Sequence, residues 1–384
     1  MAEQTNPFVY GEIVPASAFV GRQVEQHRLA TDLASGQKVF LISPRRYGKS
    51  SLIRQTFAAL ARRKIVTLEF TVSSFSSYVS FLEGYARALV GLDSRAARAR
   101  SWLHDLFNSV RPEVRVDADA EGGGLTLAFP SIRTPRDAAR LAEEVFALPA
   151  RIAERLNRPL AIALDEFQAI GTFNGGSVEQ ALRAAVQQQR QVGYVFAGSE
   201  PSLMEQMIGR KRPFYKAGPV LRLPRIPADV FAAFVDEGFR KSGIAPEAGL
   251  GAAVVELAGN LPYDVQRLAH ETWDDLSAAR RRRATADDLH ETLRRLLGEQ
   301  DTFFEVMWQR LTLAQRATLR AVVLEHGLEL LSADTRVRHR LGGASTVQAS
   351  LVALIREDLV TREADGRYVV VDSLLREWVA RQTY

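Results

Sequence analysis

The sequence predicts an α/β protein with a mainly parallel sheet, followed by an all-helical region and a small helix-and-hairpin unit. Three observations point there. Short apolar runs alternate with helical patterns through the first half of the chain. After Pro227 the apolar spacing is helical up to about Gly298. From about Leu311, helical patterns lead into two short strand patterns split by Asp365-Gly366, and a last helical pattern follows.

The strands come first. Residues 39–42, 65–70, 160–164, 192–197 and 220–223 are short apolar runs, several rich in β-branched side chains. Helical patterns lie between them, for example over 51–63 and 178–191. Residues from about 92 to 135 break the rhythm. Residues 95–110 read as a helix. Arg115-Val116-Asp117 and Leu125-Thr126-Leu127 then flank Glu121-Gly122-Gly123-Gly124, which predicts an inserted hairpin.

In the helical region, Arg280-Arg281-Arg282-Arg283 precedes Thr285-Ala286-Asp287-Asp288. Thr285 fits an N-cap with acids in the first turn. The arginine run is either a solvated helix end or a patch for phosphates. In the last unit, helices are expected over 313–325 and 346–355, the second with Ser345 as N-cap. A hairpin of 359–362 with 368–371 and a helix over 373–381 complete a winged helix.

Composition bounds the rest. A chain of 384 residues suggests two to three domains. With 46% hydrophobic and 25% charged residues it is globular, which excludes disordered, collagen-like and simple coiled-coil chains. The net charge of +5 permits an anionic partner without demanding one. The absence of Cys excludes disulfides, thiolate metal sites and Cys nucleophiles. With no leader pattern at Met1 to Pro7 and no long apolar window, a soluble, cytoplasmic protein without a membrane association is expected. The six His lack paired metal-ligand spacing, and no G-x-S-x-G elbow or dinucleotide fingerprint occurs, so common metabolic classes are disfavoured.

The chemistry sits at three strand ends. Ser43-Pro44-Arg45-Arg46-Tyr47-Gly48-Lys49-Ser50 lies between a strand and a helix, in the manner of a P-loop with Ser43 at the usual first glycine. In such a loop, backbone N–H groups and the helix dipole face phosphates. Gly48 allows close approach, Lys49 reaches the β- and γ-phosphates, and Ser50 ligates Mg²⁺. Asp165-Glu166 closes the apolar run 160–164. Two acids there are costly unless they hold a cation or polar partners. Asp165 would bind Mg²⁺ through water, and Glu166 would act as general base on the attacking water. Ser199, after the run 192–197, could hydrogen-bond the γ-phosphate or that water.

These blocks resemble the archaeal-type ATPases, a family near the AAA+ and origin-recognition ATPases and the signal-transducing NTPases with numerous domains. The resemblance rests on Asn6-Pro7-Phe8, Phe19-Val20-Gly21-Arg22-Gln23-Val24-Glu25, Pro44 to Leu52, Leu164-Asp165-Glu166-Phe167-Gln168, Gly198 to Met204 and Arg212-Pro213-Phe214-Tyr215. It spans nearly the whole chain. It implies a P-loop NTPase core of the AAA+ (ASCE) kind with sheet order 5-1-4-3-2, a helical lid and a winged helix, divided as 1–225 (with the insertion at about 92–135), 226–304 and 305–384.

By residue, it implies that Pro44, Arg45, Arg46, Tyr47, Gly48, Lys49, Ser50 and Ser51 hold ATP. Val20, Gly21 and Arg22 would line the adenine. Ser199 matches the sensor-1 position, and Arg212 is a candidate arginine finger, in cis or across a subunit boundary. Gly259-Asn260-Leu261-Pro262-Tyr263 resembles the lid motif, with Pro262 near the nucleotide and Arg267 as a sensor-2 candidate.

The expected function is thus a Mg²⁺-dependent ATPase with slow turnover, converting ATP to ADP and phosphate to switch conformation. Two rivals stand beside it: a DNA-associated regulator or loader using the winged helix, and a non-hydrolysing nucleotide sensor for protein assembly. The winged helix could contact DNA or serve intramolecular docking or protein contact, and a protein partner or a homo-oligomer is open for the chain as a whole. Its charge is near balance: residues 311–384 hold 10 Arg against 9 Asp plus Glu, and 341–355 hold no basic residue. A DNA reader ordinarily clusters basic side chains on one face.

Overall fold

The computed structural model describes residues 5–92, 107, 113–117, 124–129, 132, 134–173, 177–363 and 365–382. The chain divides into two compact units, Arg22–Pro224 and Met1–Gly21 with Arg225–Tyr384.

The first unit runs α1 (Gln23–Ala34), β1 (Lys38–Ile42), α2 (Lys49–Arg62), β2 (Val66–Thr71), α3 (Tyr78–Val90), β3 (Glu113–Asp117), β4 (Gly124–Ala128), α4 (Pro135–Leu156), β5 (Leu160–Asp165), α5 (Ser177–Gln188), β6 (Val192–Gly198), α6 (Pro201–Met207) and β7 (Val220–Arg222). Five strands form one sheet in the order β2-β5-β6-β1-β7, every pair parallel. This is the expected order, and all five expected strands are present. Strands β5 and β6 are central, and seven consecutive residues of β6 are buried. Burial on both faces is why these segments read as unbroken apolar runs rather than as alternation.

Register fixes the functional edge. Ile42 lies opposite Gly198, Leu164 opposite Phe196, and Thr71 opposite Asp165. Strands β1, β5 and β6 therefore end at one level, so the segments after Ile42, Leu164 and Gly198 emerge together. In a parallel α/β sheet this carboxyl edge is where ligands bind. The expected hairpin is present as antiparallel β3 and β4, with Asp117 opposite Gly124. Of the helix expected over 95–110 only Phe107 is described, buried in the core of this unit, and the turn at 121–123 lies outside the described residues.

The second unit runs α7 (Ala228–Lys241), β8 (Ala245–Pro246), α8 (Leu250–Leu257), α9 (Pro262–Ala278), β9 (Arg283–Ala284), α10 (Ala286–Arg310), α11 (Leu313–Leu324), α12 (Ala333–Arg338), α13 (Ala344–Arg356), β10 (Val360–Arg362), β11 (Tyr368–Val370) and α14 (Ser373–Arg381). Thr285 does cap α10, in a capping box with Asp288, and Thr312 caps α11 in the same way with Gln315. Arg281 of the arginine run is paired with the buried Asp288. Three details differ from expectation. Helix α13 starts at Ala344 after Gly343, so Ser345 lies inside its first turn and is not the N-cap. Strands β8 and β9 interrupt the helical region with a two-residue parallel pair. Helix α12 was not foreseen.

One apolar core runs through this unit, from Phe8 to Val379. The N-terminal segment joins it because the Phe8 ring packs 5.0 Å from Phe239, and Val9 donates its N–H to Gln266. Helix α10 passes unbroken across the expected boundary at 305. On it, Phe304 lies 6.0 Å from Trp378 of α14, and Asp301 accepts the Trp378 indole N–H at 2.7 Å.

Candidate functional site

The loop between β1 and α2 turns twice through left-handed backbone, at Arg46 (φ 68°) and Gly48 (φ 83°). At Gly48 a Cβ would be strained, while the space where it would stand is open. Gly48 is also the N-cap of α2, and no side chain caps that helix. The positive end of its dipole lies at this loop, as at an anion-binding helix N-terminus. Ser43 is absent from the residues with positive φ, so this position needs no glycine for its backbone.

Five expected residues are brought together by hydrogen bonds and ion pairs. Lys49, 7% exposed, places Nζ 2.8 Å from Asp165 Oδ1 and 3.2 Å from Glu166 Oε1. Ser50 donates its hydroxyl to Asp165 Oδ2 at 3.3 Å. Ser199 donates to Glu166 Oε2 at 2.6 Å. The ends of β5 and β6 and the start of α2 are thereby tied into one group.

Glu166 is the strained member. Its φ of 50° is left-handed, a costly conformation for a side-chain-bearing residue, and Asp165 Oδ1 accepts its backbone N–H at 2.9 Å. Burial pushes its carboxyl pKa up. The Lys49 charge and the donors Ser199, Gln168 and Lys49 outweigh that and hold it below the ordinary carboxylate range.

Gln168 was quoted in the motif but given no role. Its amide donates to Glu166 Oε2 at 2.6 Å and to Glu200 Oε1 at 3.3 Å. It leaves no room at Gly198, where a Cβ would stand 2.7 Å from Gln168 Oε1 and closer still to Met204. Its spacing two residues after Glu166 was the available signal.

Other expected residues stand elsewhere. Arg212 pairs at 2.8 Å with Glu179 of α5, a carboxylate whose pKa burial raises against the lowering effect of Arg212. Among the described residues, the side-chain hydrogen bond and ion pair of Arg212 are with Glu179 and not with the Lys49 group. Arg22 is buried in the first unit and donates to the Tyr47 carbonyl at 3.2 Å. Val20, Gly21, Pro262 and Arg267 belong to the second unit. There Val20 packs on the core, Pro262 opens α9, and the Arg267 Nε is buried without a partner.

The donor set suits Mg²⁺. A hydroxyl and a carboxylate, Ser50 and Asp165, are hard oxygen ligands, and Mg²⁺ normally keeps waters and phosphate oxygens for the rest of its shell. Among the described residues no group of three or more His, Cys, Asp or Glu could hold a metal alone.

Comparison with known proteins bears on the fold. A family model described as a probable winged helix domain matches residues 302–381. No curated protein matches the chain in sequence. Among solved structures, a Walker-type ATPase of Pyrococcus abyssi is 17% identical with a TM-score of 0.62, covering 96% of this chain and 99% of that one. The ORC2 protein of Aeropyrum pernix, solved in ADPNP and ADP complexes, is 15% identical with a TM-score of 0.54, covering 98% of this chain and 95% of that one. At these identities the likeness shows the fold alone: a five-stranded parallel sheet flanked by helices, followed by further helices and a winged helix. No helix among the described residues is long and apolar enough to cross a membrane.

Proposed function

We propose that the protein binds ATP with Mg²⁺ at the loop 43–51, hydrolyses it slowly, and uses the nucleotide state as a conformational switch. The observation that carries this reading is the convergence of Lys49, Ser50, Asp165, Glu166 and Ser199 at one sheet edge, beside an uncapped helix N-terminus.

The residues divide the work. Gly48 and the first-turn amides of α2 receive the phosphates, with Pro44, Arg45, Arg46, Tyr47 and Ser51 shaping the cradle. Lys49 leaves its carboxylate partners to meet the β- and γ-phosphates. Ser50 and Asp165 would hold Mg²⁺, which neutralises charge developing on the phosphates when bound. Water attacks the γ-phosphorus and the bond to the bridging oxygen breaks. Glu166 takes the proton of the water, and ADP and phosphate leave. Ser199 orients Glu166 and the water. Arg212 would serve as a finger after leaving Glu179. Roles for Val20, Gly21, Pro262 and Arg267 at the nucleotide rest on the family resemblance alone, as do the lid at 226–304 and a separate domain from 305.

The test is a single-turnover assay of wild type and Glu166→Gln with Mg²⁺ and with chelator. Hydrolysis lost in the variant and in chelator supports the reading. Nucleotide binding without hydrolysis in wild type would leave a sensor for protein assembly.

A second reading, DNA association, is favoured by the winged helix match over 302–381. The side chains qualify it. On α13 Ser345, Thr346 and Gln348 are exposed and uncharged. Arg338 and His339 both pair with Glu325, and Arg367 pairs with Asp365. Salt-dependent duplex binding would establish this reading.

A further inference from the structure

Arg22 is a buried charge, 2% exposed. Its Nη1 donates to Glu25 Oε1 at 3.2 Å and its Nη2 to the Tyr47 carbonyl at 3.2 Å, while Nε is buried without a partner. Burial lowers its pKa, against the opposing charge of Glu25. A guanidinium is costly to bury, and one carboxylate with one carbonyl is a thin set of partners for five N–H donors. Such a side chain points to a use that a surface arginine could not serve.

Tyr47 lies between the two left-handed residues of the loop, Arg46 and Gly48. An anion cradle turns successive N–H groups toward the ligand and so turns carbonyls away from it. A carbonyl directed into the protein must find a donor or lose a hydrogen bond. Arg22 supplies that donor from the residue just before α1, and the salt bridge to Glu25 in the first turn of α1 fixes its direction.

We infer that Arg22 is a positioning residue for the phosphate cradle, anchoring the loop through the Tyr47 carbonyl rather than recognising the adenine. The inference rests on the proposal that the loop binds nucleotide phosphates. Removing the anchor loosens Arg46-Tyr47-Gly48, and the cost falls on phosphate binding whatever base is attached.

The experiment compares wild type, Arg22→Met and Arg22→Lys in the full chain. Calorimetry with Mg²⁺ gives affinities for ATP and for inorganic tripolyphosphate, and hydrogen exchange reports the amides of residues 45–50. Arg22→Met should weaken both ligands by the same factor, about tenfold or more, and speed exchange in the loop. Arg22→Lys, which keeps a charge but only a point donor, should fall between and guards against a Met variant that fails to fold. Weakened ATP with unchanged tripolyphosphate would assign Arg22 to the base and overturn the inference. So would unchanged exchange at 45–50. If neither ligand binds wild type, or Lys49→Ala leaves binding intact, the nucleotide reading fails instead, and the exchange data still decide whether Arg22 anchors the loop.

Discussion

Ser199 Oγ donates to Glu166 Oε2 at 2.6 Å, joining the end of β6 to the acid that follows β5. Gln168 shares that oxygen at 2.6 Å, and Lys49 lies 3.2 Å from the other. Both oxygens of the proposed base thus face donors. Only the Lys49 side is exchangeable, because Lys49 is the group that phosphates would draw away. Phosphate binding would then free Oε1 for a water, coupling occupancy of the loop to the availability of the base.

Glu166→Gln should therefore bind ATP and lose about 10²–10⁴-fold in kcat. The amide keeps the shape and cannot accept the proton. Single-turnover hydrolysis at wild-type rate would place the base elsewhere.

Lys49→Ala should cost about 100-fold or more in ATP affinity by calorimetry, since it removes the charge that donates to the phosphates. It also leaves Asp165 and Glu166, 23% and 28% exposed, as neighbouring uncompensated carboxylates. The variant should accordingly melt lower than wild type at pH 7. Equal melting of the two proteins would argue against the ion pairs.

Asp165→Asn should raise the Mg²⁺ concentration for half-maximal ATPase activity by about 10–100-fold. Ser50 then keeps its hydroxyl but loses the acceptor at 3.3 Å. A magnesium titration identical to wild type would remove Asp165 from the metal site.

Much of this site was legible from sequence because each member follows an apolar run buried on both faces. Lys49, Ser50, Asp165, Glu166 and Ser199 are local to their strand ends, and a parallel sheet in the observed register brings those ends level. Arg22 and Gln168 were not legible in role, since their partners are set by tertiary placement: Tyr47 lies 25 residues from Arg22, and Glu200 lies 32 from Gln168. The membership of Phe8 in the second unit was hidden likewise, its partner Phe239 lying far along the chain. Helix α12 has only six residues, too few to display a period.

Glu179→Gln should stabilise the protein at neutral pH. Burial raises the Glu179 pKa above its unfolded value of 4.5 despite the Arg212 partner. A carboxyl with a raised folded pKa contributes stability below its unfolded pKa and loses it as pH rises through the folded value. Glutamine never ionises, so the variant should melt on the order of 2 °C higher at pH 7, with the gain shrinking below about pH 4.5. Arg212, 46% exposed, can be solvated when released. A lower melting point at pH 7 would mean that the pair stabilises the fold.

Cutting the chain after residue 304 should unfold the second unit rather than release a separate domain. Winged helices often carry their own small core, and the charge-balanced segment from 305 looks separable on that ground. The packing argues otherwise. The cut passes through α10 between Phe304 and the residues that continue the helix to Arg310. It strips Leu351, Leu354, Val360, Leu374, Leu375, Trp378 and Val379 from a core they share with Val254, Val265, Leu289 and Leu296. Each large buried apolar side chain is worth about 1.5–3 kcal/mol, so the loss of this set is as large as the whole ~5–15 kcal/mol that stabilises a typical domain. It also removes the backbone N–H of Ser373 from the buried Asp264 and the Arg376 guanidinium from the Leu257 carbonyl. Limited proteolysis of the fragment 1–304 should cleave throughout 225–304 while residues 22–224 resist. Protection of 225–304 equal to that in the full chain would show that the lid helices hold their own core and that the division at 305 is a true domain boundary.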